Sequence, residues 1–301
     1  MHSLTLSMEL YNNNERFISL LSDYGFKATF GNESDTTFLK KALQALIDSS
    51  VPIKKVSFVK NEISALTKDS RSGIYDLACT DENDNHFIVE MQLSEYPEFI
   101  QRMKFYAFHR FNTLVRKGKY TFENLQKIYC IGILANNIFS DIPDYHNIAV
   151  LKNKKDELID DQMTFVTVEL AKFDKQAESI ETDLDKLIYT MKNLHKVTDQ
   201  TQFPKFWNEK WLKKAIQELD TKAMTPEQRL AYEMTISANA LAVKNEQKKI
   251  QEAEERGEKL AKIETIKQML SSGQLSIEDI AKFSLTSIDF VLDIQKQLSD
   301  N

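Results

Sequence analysis

The sequence is poor in the residues that interrupt or staple a chain. Glycine occurs 7 times and proline 5 times in 301 residues. So few breakers predict long regular elements and short connections. Cysteine occurs only at Cys79 and Cys130. Both stand in apolar, strand-like runs and read as buried free thiols, which suits a reducing compartment. A disulfide-stapled secreted fold is excluded. The histidines, His2, His86, His109, His146 and His195, are scattered, so no zinc-site spacing exists. No apolar run reaches the roughly 18 residues of a membrane-spanning helix. The N-terminal MHSLTLSMELYNNNER lacks the basic-then-apolar order of a signal peptide. Together these absences predict a cytoplasmic protein without a membrane partner.

What is present is ordinary for a soluble globular chain: 42% hydrophobic and 28% charged residues. A chain this long buries a real core without structural metal. The net charge is −6, but its distribution is uneven. The first 130 residues are balanced, and the acidity sits in the remainder. Within 95–120, Arg102, Lys104, Arg110, Arg116, Lys117 and Lys119 face only Glu95 and Glu98. A neutral half thus carries a local basic element, either a solvated face or a track for a polyanion.

Apolar spacing predicts a helix over 33–48 and a strand over 54–60. Residues 73–80 (GIYDLACT) and 86–93 (HFIVEMQL) flank a polar, turn-forming segment and predict a hairpin. A long helix is predicted over 95–117, stopped by Gly118. Strands follow at 127–135, 146–151 and 163–170, then helices near 178–195 and 203–219. Alternating strands and helices, with several strands apolar on both faces, predict an α/β fold: a mixed sheet covered by helices. After Asp220 the composition changes. Thr225-Pro226 with Gln228 opens a charged helix running to about Leu270. Two short helices over 276–283 and 287–298 form a terminal hairpin. No internal repeat is visible.

The informative residues are polar ones inside apolar strands: Asp76 in GIYDLAC, and Glu90 and Gln92 in FIVEMQL. A carboxylate there carries a large desolvation cost unless it is paired or bound to metal. Glu90 and Gln92 are two apart and share a face. Asp76 joins that face only if it lies opposite an even-numbered residue, 90 or 92. A symmetric two-residue loop at 83–84 would instead pair it with 91 and turn it away. Two adjacent carboxylates ionise together around a cation, and oxygen ligands, with the Met91 carbonyl among them, favour Mg²⁺ or Mn²⁺. Such an ion activates water at a phosphate, and Gln92 stands where it would orient that water.

Asp76 followed by Glu90-x-Gln92, in a helix–strand–hairpin–helix context, resembles the PD-(D/E)xK nuclease core. GNESDTTFLKKALQALI, the IVEMQ strand, the Arg102-x-x-x-Tyr106 helix, LVRKGKY, FVTVELAKF and the EERGEKLAKIETIKQMLSSGQLSIEDIAK tail are similar to the recombination-promoting nuclease, or transposase, family. The resemblance spans nearly the whole chain. It implies a PD-(D/E)xK nuclease-like domain over 1–195, a helical extension over 196–224, and a charged helix with terminal hairpin over 225–301. It implies a metal-dependent DNA endonuclease that promotes recombination. Asp76 and Glu90 would be metal ligands, and Gln92 would stand where the superfamily usually has lysine. Tyr75-Asp76 replaces Pro-Asp. Glu33, with Asp35 in reserve, is the candidate additional acid from the first helix.

Each residue also has a plainer reading. Asp76 and Glu90 could pair with Arg71 or Arg102, and Glu33 could favour a helix N-terminus. Arg71, Arg102, Lys104 and Tyr106 are the candidate DNA-contacting residues, with affinity for the backbone rather than for sequence. Phe99, Phe105, Phe108 and Phe111 read as core rather than as a base-stacking surface. Two other functions compete. One is a non-catalytic DNA-binding or recombination accessory protein acting through its C-terminal helices. The other is an interaction protein built on the charged helix, through which a homodimer is a reasonable assembly.

Overall fold

Six strands form one mixed sheet. In spatial order they are β1 (Val56–Phe58), β4 (Leu77–Asp81), β5 (His86–Gln92), β6 (Ile128–Leu134), β8 (Leu158–Glu169) and β7 (His146–Lys152). Strands β2 (Glu62–Ile63) and β3 (Gly73–Ile74) pair with each other as a separate ribbon. β5, β6 and β8 run parallel, while β1, β4 and β7 are antiparallel to their neighbours. The computed structural model describes residues 16–63, 73–93, 98–114 and 125–299.

The sheet is covered on both faces, as the two-sided apolar pattern of IYCIGIL in β6 requires. Leu77, Cys79, Phe87, Val89, Ile131, Ile133, Val166 and Val168 face one layer of helices. That layer comprises α1 (Asp23–Thr29), α2 (Thr37–Leu46), α4 (Asp183–Asn193) and α5 (Lys210–Glu218). In α2, Phe38, Leu39, Ala42, Leu43 and Leu46 recur at helical spacing and are all buried. Helix α4 starts at a reciprocal cap in which the Thr182 side chain takes the Asp185 N–H and Asp185 returns to the Thr182 backbone. Trp207 and Leu212 bury in the same core.

A single helix, α3 (Phe99–Leu114), covers the opposite face. Phe99, Met103, Tyr106 and Ala107 turn inward onto Ala78, Ile88, Ile128, Cys130 and Leu134. The alternation along each strand is therefore complete: even-numbered residues of β5 and β6 meet α3, odd-numbered ones meet the other layer.

Several elements differ from the sequence expectation. Helix α2 begins at Thr37 rather than 33, because Asn32 Oδ1 takes the N–H groups of Ser34 and Asp35 in a turn. The first hairpin strand is broken. Gly73–Ile74 pairs with β2, and the ladder to β5 starts only at Leu77. Strand β8 begins at Leu158, before the point where β6 joins it, because its first residues pair with β7 as a two-stranded arm. Helix α1 and strand β2 had no clear sequence signal.

The chain divides between Thr235 and Ile236 into two compact units. The charged helix α6 runs from Pro226 to Ser272. In the second unit Ile266, Ile280, Ala281, Val291 and Ile294 form a small core of their own. They come from the end of α6, from α7 (Ile277–Phe283) and from α8 (Ile288–Ser299). Among the described residues, no helix is long and apolar enough to cross a membrane.

Candidate active site

The β4–β5 hairpin sets the site. Leu77 pairs with Val89, Ala78 with Ile88 and Thr80 with His86. Continued by one residue, this register puts Asp76 opposite Glu90. The loop that produces it is odd in length. Asp81 and Asn85 close it by a backbone bond, leaving Glu82, Asn83 and Asp84 outside. Asp84 has φ +58°, which is the left-handed residue of a three-residue hairpin loop. Asp81 holds the loop by accepting from the Asn83 and Asn85 N–H groups. Asp76, Glu90 and Gln92 thus lie on the face that carries α3.

Glu90 is only 3% exposed. Its carboxyl is pushed up to about 8, first by burial and then by the negative charge of Asp76. Two groups oppose this. The Arg102 guanidinium lies 3.7 Å from Glu90 Oε2, and the Tyr106 hydroxyl donates to the carboxylate. Burial, and after it the negative charge of Glu90, push the Tyr106 hydroxyl up to about 12. Arg102 Nη2 also donates to Gln92 Oε1 at 3.1 Å. One arginine therefore organises both polar residues of the strand. Arg102 and Tyr106 are one turn apart on the inward face of α3, and the guanidinium lies 5.8 Å from the rings of Phe99 and Tyr106.

Asp76 is exposed. Its Oδ2 accepts the Met91 backbone N–H at 2.7 Å. In an extended strand the N–H and C=O of one residue point to the same side. The Met91 carbonyl therefore also faces Asp76, while the Gln92 carbonyl faces β6, where it accepts the Ala135 N–H.

The other predicted residues are placed differently. Glu33 is exposed and lines a separate cleft of about 750 Å³ with Asp23, Lys27 and Glu218. Asp35 is paired with Lys214 across that side of the unit, which holds its carboxyl well below the usual range. Among the described residues no third acidic, histidine or cysteine side chain joins Asp76 and Glu90, so the structure does not bring Glu33 to the pair. Lys104 is exposed and lies two residues from Arg102, nearly opposite it around the helix. Arg71 lies outside the described residues. Phe99 is buried and Phe111 partly so, but Phe105 and Phe108 are 41% and 61% exposed. The expectation of four core phenylalanines therefore holds for only two. A 16-residue helix inserts one stripe, and positions 105 and 108 lie outside it.

Three neighbours were not foreseen. Tyr75 packs edge-on against Tyr106 with ring centroids 4.8 Å apart. Arg110 donates to His86 Nδ1 under the same helix. Gly132 pairs with Glu90 across β5 and β6. A Cβ at Gly132 would meet the Phe99 ring at 2.6 Å. Its sequence signal was available: a glycine inside an apolar strand marks close approach.

The donor set fits a hard divalent cation. Asp76, Glu90 and the Met91 carbonyl are all oxygens on one side of one hairpin. The upward push on Glu90 from Asp76 is the repulsion that a bound cation relieves.

A family model described as PD-(D/E)XK nuclease family transposase matches residues 20–253. No curated protein and no solved structure matches the chain.

Proposed function

Because the chain belongs to the PD-(D/E)XK nuclease family transposases, and has the mixed α/β fold of such nucleases, we propose that it is a metal-dependent DNA endonuclease. The observation that carries this reading is the register that sets Asp76 beside Glu90 with Met91 between the two carboxylates. Asp76, Glu90 and the Met91 carbonyl would hold Mg²⁺ or Mn²⁺. A cation bound there supplies charge neutralisation at the phosphate and a lowered water pKa.

The protein's own groups do the rest. Gln92, fixed by Arg102 through its carbonyl oxygen, orients the attacking water through its amide. Arg102 stands beside both and meets the scissile phosphate as a fixed positive charge. Tyr106 holds Glu90 in place. Breaking one phosphodiester bond by in-line attack of water needs no other nucleophile from the chain. Promotion of recombination would follow from the breaks it makes.

A second reading is a non-catalytic DNA-binding or recombination accessory protein. The Arg102–Glu90 ion pair favours it, since that pair neutralises Glu90 without a metal. Nicking of supercoiled plasmid by the purified chain in Mg²⁺, in Mn²⁺ and in EDTA, beside Asp76→Asn, separates the two. Nicking that requires the metal and disappears in the variant supports the enzyme. DNA binding without nicking supports the accessory role. Nicking that persists in Asp76→Asn overturns the site.

A further inference from the structure

Helix α3 has an outward face that the site's chemistry does not use. Phe105 and Phe108 are 41% and 61% exposed on it, three residues apart and so on one side of the helix. Phenylalanine is usually buried, and adjacent exposed rings mark a surface with a partner. Lys104 is exposed beside them, and Gln101 and Asn112 continue the same face. Between Phe99 and Leu114 the helix carries Arg102, Lys104 and Arg110 and no acidic residue, in a chain of net charge −6. Arg102 and Arg110 turn inward to Glu90, Gln92 and His86, so the cation of this face is Lys104, beside the two rings and with no acid on the helix. That combination suits a strand of nucleic acid, with a phosphate on Lys104 and bases stacked on the rings.

Phe105, at the edge of this face, touches a residue of the site. The Phe105 ring lies 6.1 Å from that of Tyr106, and Tyr106 donates to Glu90. Phe108 continues along the helix, one turn from Lys104.

We propose that Phe105 and Phe108 form a stacking platform for unpaired bases, so that single-stranded DNA, or the opened strand of a distorted duplex, is the preferred substrate. The proposal rests on the endonuclease reading for what is done to the strand, but not for its binding. Paired bases in an intact duplex do not present their faces to such rings; unpaired ones do.

The test is anisotropy of a fluorescent oligothymidine and of a duplex of equal length, with full-length protein in EDTA, where no cutting interferes. The variants are Phe105→Ala, Phe108→Ala, the double variant, and Phe105→Tyr with Phe108→Tyr. Each alanine is expected to weaken single-strand binding about tenfold, the scale of one base–aromatic stack. Duplex binding should change by less than about threefold, and the tyrosine pair should restore single-strand binding. Since both rings are exposed, the alanine variants are expected to keep the parent melting temperature. Equal losses on duplex and single strand, or none on either, would overturn the proposal. So would a dimer, seen by sedimentation, that falls apart in the double variant, because the face would then belong to a second copy. Failure of the endonuclease reading would appear separately, as intact single-strand binding with no cutting in Mg²⁺ or Mn²⁺.

Discussion

Asp76 fastens the strand that carries its partner carboxylate: its Oδ2 accepts the Met91 N–H at 2.7 Å, one residue beyond Glu90. The side chain thus has a structural duty as well as the proposed ligand role, and the two can be separated. Asp76→Asn keeps an oxygen acceptor for Met91 but loses the charge. It should fold with the parent melting temperature and lose at least about 100-fold in cleavage, the scale of removing a charge-stabilising group. Asp76→Ala should lose both activity and about 1 kcal/mol of stability, from the missing hydrogen bond. Thermal melts beside plasmid nicking decide it. An active Asp76→Asn would remove Asp76 from the proposed ligand set.

Arg102 opposes the upward push on Glu90. In the metal-free protein, Arg102→Ala should raise the Glu90 titration further, because one positive charge near a buried carboxylate is lost. Carbon-13 NMR of the Glu90 carboxyl across pH reads this directly. A titration that stays where it was would mean that the guanidinium is screened from Glu90 and serves Gln92 alone.

Gly132 leaves room for the Phe99 ring beneath α3. Gly132→Ala should cost about 1–3 kcal/mol through overpacking. It should also push α3, and with it Arg102 and Tyr106, away from Glu90. Adding Phe99→Leu should recover much of the melting temperature. If Gly132→Ala melts like the parent, the contact is not as tight as the geometry describes.

His86 is buried against Arg110, and burial followed by that positive charge lowers its pKa to about 4. Its value in an unfolded chain is about 6.5. Between these values the unfolded chain holds a proton that the folded one lacks, so acid favours unfolding. The contribution is whole above about pH 6.5 and disappears as pH falls to about 4, with a limiting slope of about 1.4 kcal/mol per pH unit. His195, also lowered to about 4 by burial, acts in the same window. Denaturant unfolding from pH 7 to 4 should show this loss, with a smaller slope in His86→Asn. An unchanged slope in that variant would assign the acid sensitivity elsewhere.

Much of this was legible in the sequence because periodicity reports burial. The mixed sheet, the long helix of α3 and the position of Glu90 and Gln92 on one face follow from alternation alone. Whether Asp76 shares the face of Glu90 was one of two outcomes, and the choice lay in the register of the hairpin. Asp84 adopts a left-handed backbone without being glycine, so no Asn-Gly or Asp-Gly signature announced the loop type. Glu33 was harder. Its distance from the pair depends on how α1 and α2 pack over the other face of the sheet, which no local pattern encodes. Phe105 and Phe108 ran against the rule that phenylalanine is core, and only the helix's orientation reveals which rings face out.

The three-residue turn at Glu82–Asp84 has a consequence for how this gene can drift. Leu77 and Cys79 are buried in the core on the side away from Asp76, so a codon gained at the turn is taken up by a longer loop rather than by a shifted strand. Asp76 then stays opposite Glu90. A codon gained or lost inside β4 or β5 instead turns every residue beyond it to the other side of the sheet, unless a bulge absorbs it. Relatives that retain the pair should therefore vary in length at this turn and hold the two strands to a fixed length.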